Sequence, residues 1–168
     1  MDNYIVLDLE WNQSPNGREH SNKDLPFEII EIGAIKLNSR LETVDEFHRV
    51  IKPTVYKKIH FKVHEVVQIG IWELKKKGVP FVDAINDFFE FCEMDNRQKI
   101  LCTWGNLDLV ELQRNMKFYN VENKFEYPFF YYDLQKLFNI KFPNAQQERI
   151  PLERAVNMLN IEVKRPFH

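Results

Sequence analysis

Glycine and cysteine are scarce in this chain of 168 residues, which contains five glycines and two cysteines. The glycines are scattered singly, so no glycine-rich loop can cradle a phosphate, and the sequence has no Gly-x-Ser-x-Gly turn. These absences argue against P-loop NTPases, kinases, dinucleotide-binding enzymes and α/β-hydrolases. Cys92 and Cys102 form no Cys-x-x-Cys pair and are too few for a disulfide scaffold. The cysteine usage therefore predicts a reducing, cytoplasmic location.

Long apolar runs and an excess of one charge are also missing. The first apolar run, residues 5–7, ends at Asp8. No later stretch reaches the roughly 18 apolar residues of a membrane span, so neither a signal peptide nor a membrane helix is predicted. Lysine and arginine number 23 against 25 acidic residues, which gives a net charge of -2. A polyanionic partner would therefore be held by local basic patches rather than by bulk charge.

What is present is the composition of a globular domain. Hydrophobic residues make up 44% of the chain, aromatic residues 14% and charged residues 29%. These proportions exclude a disordered tail, a collagen-like repeat and a coiled coil. The length falls within the roughly 100–200 residues of one domain and is sufficient for a hydrophobic core. We therefore expect a single domain over residues 1–168.

Hydrophobic periodicity predicts an α/β domain with a mixed sheet flanked by helices. Strands are predicted over residues 4–10, 27–37, 44–51 and 100–104, and helices over 62–69, 83–93, 107–119, 131–138 and 152–159. The first strand is apolar on one face and mostly so on the other, which favours the middle of the sheet. Residues 12–26 are predicted as a long polar loop, and residues 38–43 as the turn of a hairpin. Gly33 indicates a bulge or a close backbone approach within the second strand.

Three of the predicted helices have apolar residues at helical spacing, which we expect to face the core. The residues are Ile85, Phe88, Phe89 and Cys92 in the first, Leu109, Leu112 and Met116 in the second, and Leu152, Ala155, Val156 and Leu159 in the third.

Asp8 and Glu10 are the first candidates for chemistry. Residues two apart on a strand share a face, so both carboxylates project from the same side of an otherwise apolar strand. Such a pair is tolerated when a cation neutralises it, and oxygen ligands suit Mg²⁺ or Mn²⁺. The spacing alone carries no weight, because a shuffled chain of this composition would contain about 0.9 Asp-x-Glu triplets. A strand end turning into solvent is the competing interpretation.

Other polar residues have plain structural interpretations when taken singly. Asp108 lies in the first turn of a predicted helix, where the helix dipole favours an acid, and Asn106 would be its N-cap. His60 and His64 are four apart, but no third ligand follows at zinc spacing. Lys75, Lys76 and Lys77 are most simply a solvated edge, although together with three further lysines they could form a phosphate-facing rim. The three further lysines are Lys57, Lys58 and Lys62.

Four segments in the right order resemble the DEDDh 3′–5′ exonucleases, the DnaQ-like group with a ribonuclease H-like fold of about five strands. Residues 5–10, Ile-Val-Leu-Asp-Leu-Glu, resemble the first motif of that family, and residues 26–34, Pro-Phe-Glu-Ile-Ile-Glu-Ile-Gly-Ala, its second strand. Residues 104–108, Trp-Gly-Asn-Leu-Asp, look like the second motif, and residues 152–161 followed by His168 resemble the approach to the third. The sequence is most similar to the enhancer-of-RNAi and KapD-like subgroup.

The resemblance implies an activity and assigns roles to matching residues. It implies a metal-dependent exonuclease that removes nucleotides from the 3′ end of single-stranded RNA or DNA, with RNA slightly favoured. Asp8, Glu10 and Asp108 would hold two Mg²⁺ or Mn²⁺ ions, and His168 would be the general base. Glu10, Leu9 and Trp11 would also meet the terminal nucleotide. Trp11 could stack on a base or simply pack at the strand end, and the sequence does not separate the two.

Two departures from the family pattern bear on these expectations. In the family an aspartate follows the histidine of the third motif by about five residues, whereas this sequence ends at His168. On that basis we expect the chain to lack the last helix and the fourth metal carboxylate, and to turn over poorly. The alternative function is a catalytically impaired module that binds nucleic acid or regulates. Trp11 replaces the small hydroxyl residue often found after the family's glutamate, which could alter how the terminal sugar is held.

Overall fold

A computed structural model describes residues 3–67, 70–93, 99–125, 130–142 and 149–163. Its elements follow one another as β1 (Asn3–Gln13), β2 (Phe27–Leu37), β3 (Thr43–Val50), α1 (Phe61–Val67), α2 (Ile71–Lys77), α3 (Phe81–Glu93), β4 (Lys99–Thr103), α4 (Leu107–Phe118), β5 (Tyr131–Asp133), α5 (Leu134–Lys141) and α6 (Leu152–Met158).

The five strands form one mixed sheet in the order β3-β2-β1-β4-β5. β1 pairs antiparallel with β2, and β2 pairs antiparallel with β3. β4 lies parallel to β1, and β5 lies parallel to β4. Helices flank this sheet, as predicted, and β1 occupies its centre. The predicted hairpin is also confirmed, and its turn is held by Asn38, whose Oδ1 accepts the amides of Arg40 and Glu42.

One face of the sheet packs against α3 and α4 to form the main core. The apolar faces predicted for these two helices are confirmed, since every residue named for them is buried. β1 contributes Ile5, Leu7 and Leu9 to this core. Alternation of side chains along β1 therefore turns Val6, Asp8 and Glu10 toward the opposite face.

The first strand is longer than predicted. β1 continues through Gln13, with a register shift against β2 between Glu10 and Trp11. Asn12 explains the extension, because its fully buried side chain donates to the Lys58 carbonyl and accepts the His60 amide. The predicted polar loop therefore begins at Ser14 rather than at residue 12. The sequence pattern assigns Asn12 to a loop because its hydrogen-bond partners lie almost fifty positions away.

The structural role predicted for Gly33 is wrong. Gly33 pairs in regular register with Asp8 on one side and His48 on the other. A Cβ atom added there would lie 3.8 Å from the Asp8 carbonyl oxygen, which is an ordinary contact. The irregularities of β2 lie instead opposite Glu10/Trp11 and at Lys36/Leu37. At Gly33 the sheet surface therefore lacks a side chain, and the strand keeps its regular register there.

Two further predictions are corrected in the helical parts. The helix predicted over residues 131–138 begins with strand β5, and α5 starts only at Leu134, after Asp133 caps it by accepting the Lys136 amide at 3.0 Å. A separate short helix, α2, follows α1 and was not predicted. In α6 Ala155 is buried, but Leu152 and Leu159 are 41% and 43% exposed, so their predicted inward orientation is wrong.

Among the described residues, no helix is both long enough and apolar enough to pass through a bilayer.

Candidate active site

Asp8 and Glu10 lie on the face of β1 that points away from the main core. Their neighbours Leu7 and Leu9 are buried in that core, and successive side chains of a strand point to opposite faces. Asp8 is exposed to solvent, whereas Glu10 is partly buried. The burial of the apolar residues thus fixes the direction of both carboxylates, as predicted.

Asp108 is brought beside this pair by the connection from β4 to α4. Gly105 in that connection has φ +90°, a left-handed conformation that glycine adopts without a steric penalty. Asp108 then lies in the first turn of α4, only 8% exposed, and its Oδ1 accepts the Leu9 amide at 3.3 Å. Asn106 occupies the N-cap position, as predicted, although its side chain makes no capping hydrogen bond.

The carboxylates repel one another in their partly buried surroundings. Burial, followed by the charges of Asp8, Glu31 and Asp108, raises the pKa of Glu10 to about 7. Burial and the Asp8 charge raise the pKa of Asp108 to about 7, although backbone hydrogen bonds, including that from Leu9, partly oppose the rise. The fold therefore concentrates negative charge at one place, at a cost that a cation would offset.

The donors fit a hard divalent cation by their chemistry. All three are carboxylates, the ligand type that Mg²⁺ and Mn²⁺ prefer over the nitrogen and sulfur donors typical of zinc. Within the described ranges, no three His, Cys, Asp or Glu side chains are already arranged as a metal-ligand group. Donor chemistry and shared charge, rather than a preformed coordination geometry, thus support a cation here.

A family model described as Exonuclease (RNase_T) matches residues 5–159 of this chain. The chain belongs to the exonuclease family. This match covers the segments that carry Asp8, Glu10 and Asp108. It confirms the resemblance to DnaQ-like exonucleases, and the five-stranded mixed sheet is the expected ribonuclease H-like fold.

Individual relatives of this exonuclease domain agree with the family assignment. The chain is 27% identical over 125 residues to the probable 3′-5′ exonuclease KapD of Bacillus subtilis (strain 168). That match covers 74% of this chain and 56% of KapD, so the domain spans little more than half of that relative.

Solved structures share the fold at low sequence identity. The nuclease domain of 3′hExo, a DEDDh family member bound to rAMP, superposes with a TM-score of 0.75 at 16% identity, covering 99% of this chain and 83% of the other. E. coli Exonuclease I in complex with a dA16 oligonucleotide gives a TM-score of 0.71 at 14% identity, covering 99% and 38%. At such identities the likeness shows the fold alone.

Leu9 and Trp11, which the resemblance assigned to the terminal nucleotide, differ in what they can offer. The Leu9 side chain is buried in the main core, and its amide is bonded to Asp108, so its side chain is not available to a ligand. Trp11 is partly buried and packs against Phe27, with ring centroids 6.0 Å apart. Packing is therefore observed for Trp11, and stacking on a base stays a prediction.

Two histidines of the exonuclease domain, His60 and His168, were candidates for a functional role. His168, the predicted general base, lies outside the described residues, so its role stays a prediction. His60 is buried, and its Nδ1 accepts the Lys62 amide at 3.3 Å at the start of α1. This contact gives His60 a structural role near the N-terminus of the helix.

Sequence reasoning missed a fourth carboxylate on this face of the sheet. Glu31 on β2 lies directly opposite Glu10, and its Oε1 is 2.7 Å from Nε2 of His48 on β3. We call the sheet surface that bears Asp8, Glu10, Glu31 and His48 the carboxylate face. The argument applied to Asp8 and Glu10, that acids inside an apolar strand need a reason, applies equally to Glu31 and could have found it.

Two buried polar side chains that the sequence did not single out fix the chain beside the site. The carboxylate of Glu28 accepts the amides of Thr54, Val55 and Tyr56. Asn12, two residues after Glu10, binds the backbone of Lys58 and His60. We call residues 54–62, held in this way, the anchored segment.

Proposed function

We propose that this domain is a divalent-metal-dependent 3′–5′ exonuclease that acts on single-stranded nucleic acid, with RNA slightly favoured over DNA. The observation that carries the proposal is the meeting of Asp8, Glu10 and Asp108 from β1 and α4, where burial and then the neighbouring carboxylate charges raise the pKa of Glu10 and Asp108. Relatives named as 3′-exonucleases, and neighbours bound to rAMP or to a dA16 oligonucleotide, support the substrate class.

Different residues of the chain would bind the metal, position its ligands and accept the proton during hydrolysis. Asp8, Glu10 and Asp108 would hold Mg²⁺ or Mn²⁺, which would supply an activated water and neutralise charge on the phosphate. The Leu9 amide orients Asp108, and the buried strand residues hold Asp8 and Glu10 in place. His168 would accept the proton of the attacking water, a task suited to histidine near neutral pH.

The anchored segment supports a single-stranded substrate. Residues 54–62 contain three lysines and no acidic residue, and Lys57, Lys58 and Lys62 are all exposed. Phe61 within the segment is 63% exposed. Basic side chains beside an exposed aromatic ring are typical of sequence-tolerant binding to single strands, in which phosphates pair with cations and bases stack. With a net charge of only -2, the domain would depend on such a local patch.

The test is a cleavage assay on single-stranded RNA and DNA labelled at the 3′ or at the 5′ end, with Mn²⁺, Mg²⁺ or EDTA. Stepwise shortening from the 3′ end that needs metal is the expected result, with RNA shortened somewhat faster. Because the family pattern has a further acid about five residues after the histidine, a form of the protein with an aspartate at that place is assayed beside residues 1–168. Binding without shortening by either form would favour a nucleic-acid-binding module over an enzyme.

A further inference from the structure

The Glu31–His48 pair is the feature of the carboxylate face that the roles assigned so far do not use. Glu31 lies directly across from Glu10, and directly opposed side chains on one sheet face have Cβ atoms about 4.5–5.5 Å apart. Like charges in this relation destabilise a sheet. A fourth carboxylate placed beside three others thus works against the stability of the metal-free fold.

His48 holds Glu31 from the neighbouring strand. The bond between His48 Nε2 and Glu31 Oε1 is 2.7 Å long, and the side chains are 61% and 18% exposed, respectively. An exposed pair of this kind contributes little to stability, so stability alone does not account for it. What the bond does is fix the orientation of the less exposed carboxylate beside Glu10.

The register leaves free space between this pair and Asp8. His48 lies opposite Gly33, and Gly33 lies opposite Asp8, so the three form one row across the sheet. Gly33 carries no side chain, and among the described residues the only atom beyond its chain neighbours that an added Cβ would approach within 4 Å is the Asp8 carbonyl oxygen. No other described residue thus fills the position above Gly33, between Asp8 and His48, which leaves room there for a bound group and its water.

We propose that Glu31, oriented by His48, is a positioning residue of the cation site that acts through Glu10 and through water bound to the cation. This inference rests on the metal site of the proposed function. A group that hydrogen-bonds to a metal ligand and orients it, without binding the metal itself, typically weakens metal affinity 10–100-fold when it is removed. Glu31 has the required place, directly beside a ligand, and His48 limits its movement.

The experiment measures Mn²⁺ affinity by calorimetry and the melting temperature without metal. Glu31→Gln should weaken Mn²⁺ binding about 10-fold. It should also raise the metal-free melting temperature by about 2 °C, because a like charge is removed from the cluster. An ion pair that only stabilised the fold would give the opposite sign, a lower melting temperature with unchanged Mn²⁺ affinity, and that result would overturn the proposal.

Matched variants separate positioning from general damage. His48→Ala should weaken Mn²⁺ binding about threefold, and His48→Gln, which can still donate to Glu31, should restore most of it. Glu46→Gln removes an exposed carboxylate two residues from His48 on the same face and should change neither quantity. Equal effects of Glu31→Gln and Glu46→Gln would refute a specific role for Glu31. Absence of Mn²⁺ binding by the unaltered protein would overturn the proposed function and this inference together.

Discussion

In the main region, which comprises β1–β4, α3 and α4, most of the buried apolar side chains form one continuous core. The C-terminal region, which comprises β5, α5 and α6, instead has a separate small cluster formed by Phe138, Ile150 and Ala155. Several apolar residues of α5 and α6 stay exposed, namely Leu137, Ile140, Leu152 and Met158. The domain therefore places Asp8, Glu10 and Asp108 on its best-packed part, and the approach to the third motif on its least-packed part.

Trp104 joins the two regions. Its Nε1 donates to the Ile150 carbonyl at 2.9 Å, and Nε2 of the Gln135 side chain donates to the same oxygen at 2.8 Å. Trp104 also belongs to the second motif, four residues before Asp108. The segment that brings Asp108 beside Asp8 and Glu10 thus also contacts the C-terminal region, so the second motif has a structural role in addition to the chemical role proposed for Asp108.

The largest effect on stability is expected from the main core. Phe88→Ala removes a fully buried ring and should lower the free energy of unfolding by about 3–5 kcal/mol, because a cavity takes the place of the ring. Denaturant unfolding followed by circular dichroism measures the loss. Phe138→Ala, made in the small cluster at 8% exposure, should cost clearly less. Equal costs would contradict the difference in packing between the two regions.

Substrate affinity should depend on the anchored segment, which Asn12 and Glu28 bind to strands β1 and β2 of the main region. Phe61→Ala should weaken binding to a single-stranded oligonucleotide about 5–150-fold, the equivalent of about 1–3 kcal/mol of base stacking. Fluorescence anisotropy in EDTA measures binding without cleavage. Trp72 is the matched control, since it is an aromatic residue exposed at 70% on α2 and not part of the anchored segment, and Trp72→Ala should have little effect.

Salt dependence tests the lysines of the same segment separately. Replacement of Lys57 and Lys58 by alanine should reduce the slope of log affinity against log salt by about 1.4, or about 0.7 for each lysine–phosphate pair that is removed. Lys75→Ala on α2 serves as the control and should leave the slope unchanged. The proposed binding of nucleic acid by the anchored segment would be wrong if Lys75→Ala reduced the slope as much, per lysine, as the replacement of Lys57 and Lys58.

The stability of the metal-free protein should fall as pH rises. Glu10 and Asp108 have pKa values of about 7 in the fold, above their ordinary values of 4.5 and 3.8. Their stabilising contribution is therefore complete below about pH 4 and lost as pH rises through 7. We expect a loss of about 3 kcal/mol between pH 5 and 8, chiefly from Asp108, because each pH unit below its pKa is worth about 1.4 kcal/mol and the contribution of Glu10 is reduced by its partial exposure.

Thermal unfolding in EDTA across that pH range measures the loss. Asp108→Asn keeps an acceptor for the Leu9 amide but cannot ionise, so its melting temperature should depend less steeply on pH. Identical pH profiles for the variant and the unaltered protein would show that Asp108 does not carry the repulsion.

The smallest effect is expected at the junction of the regions. Trp104→Phe removes the hydrogen bond to Ile150 and should cost about 1 kcal/mol. Hydrogen exchange should locate the loss in α6, with α3 almost unchanged, because the main core does not depend on this hydrogen bond. Equal loss of protection in α3 and α6 would mean that the two regions unfold as one unit.

The sequence was sufficient where the signal is local. The alternation of Ile5, Leu7 and Leu9 predicted both the first strand and its central place, since burial on one face leaves a period-two pattern. The spacing of Phe88 and Phe89 with their neighbours likewise predicted the buried face of α3. Asp8 and Glu10 were found by the same local argument.

Features that depend on distant partners were not visible in the same way. Asp108 was assigned only through the family resemblance, because its bond to the Leu9 amide joins positions 99 residues apart. The three-residue strand β5 is stabilised by its pairing with β4, and no local sequence pattern predicts this pairing. Glu31 is noticeable locally as an acid inside an apolar strand, but its position beside Glu10 and its bond to His48 join separate strands and leave no local signal. In each case the missing information is tertiary contact.

The central claim, that Asp8 belongs to a metal-dependent nuclease site, is tested most directly by one comparison of rates. The unaltered protein and Asp8→Asn are incubated with 5′-labelled single-stranded RNA and Mn²⁺ at a temperature where both are folded. The account predicts stepwise 3′ shortening by the former and a rate at least about 10³-fold lower for the latter, a change of about 4 kcal/mol in the barrier. Equal rates for the two proteins would contradict the account.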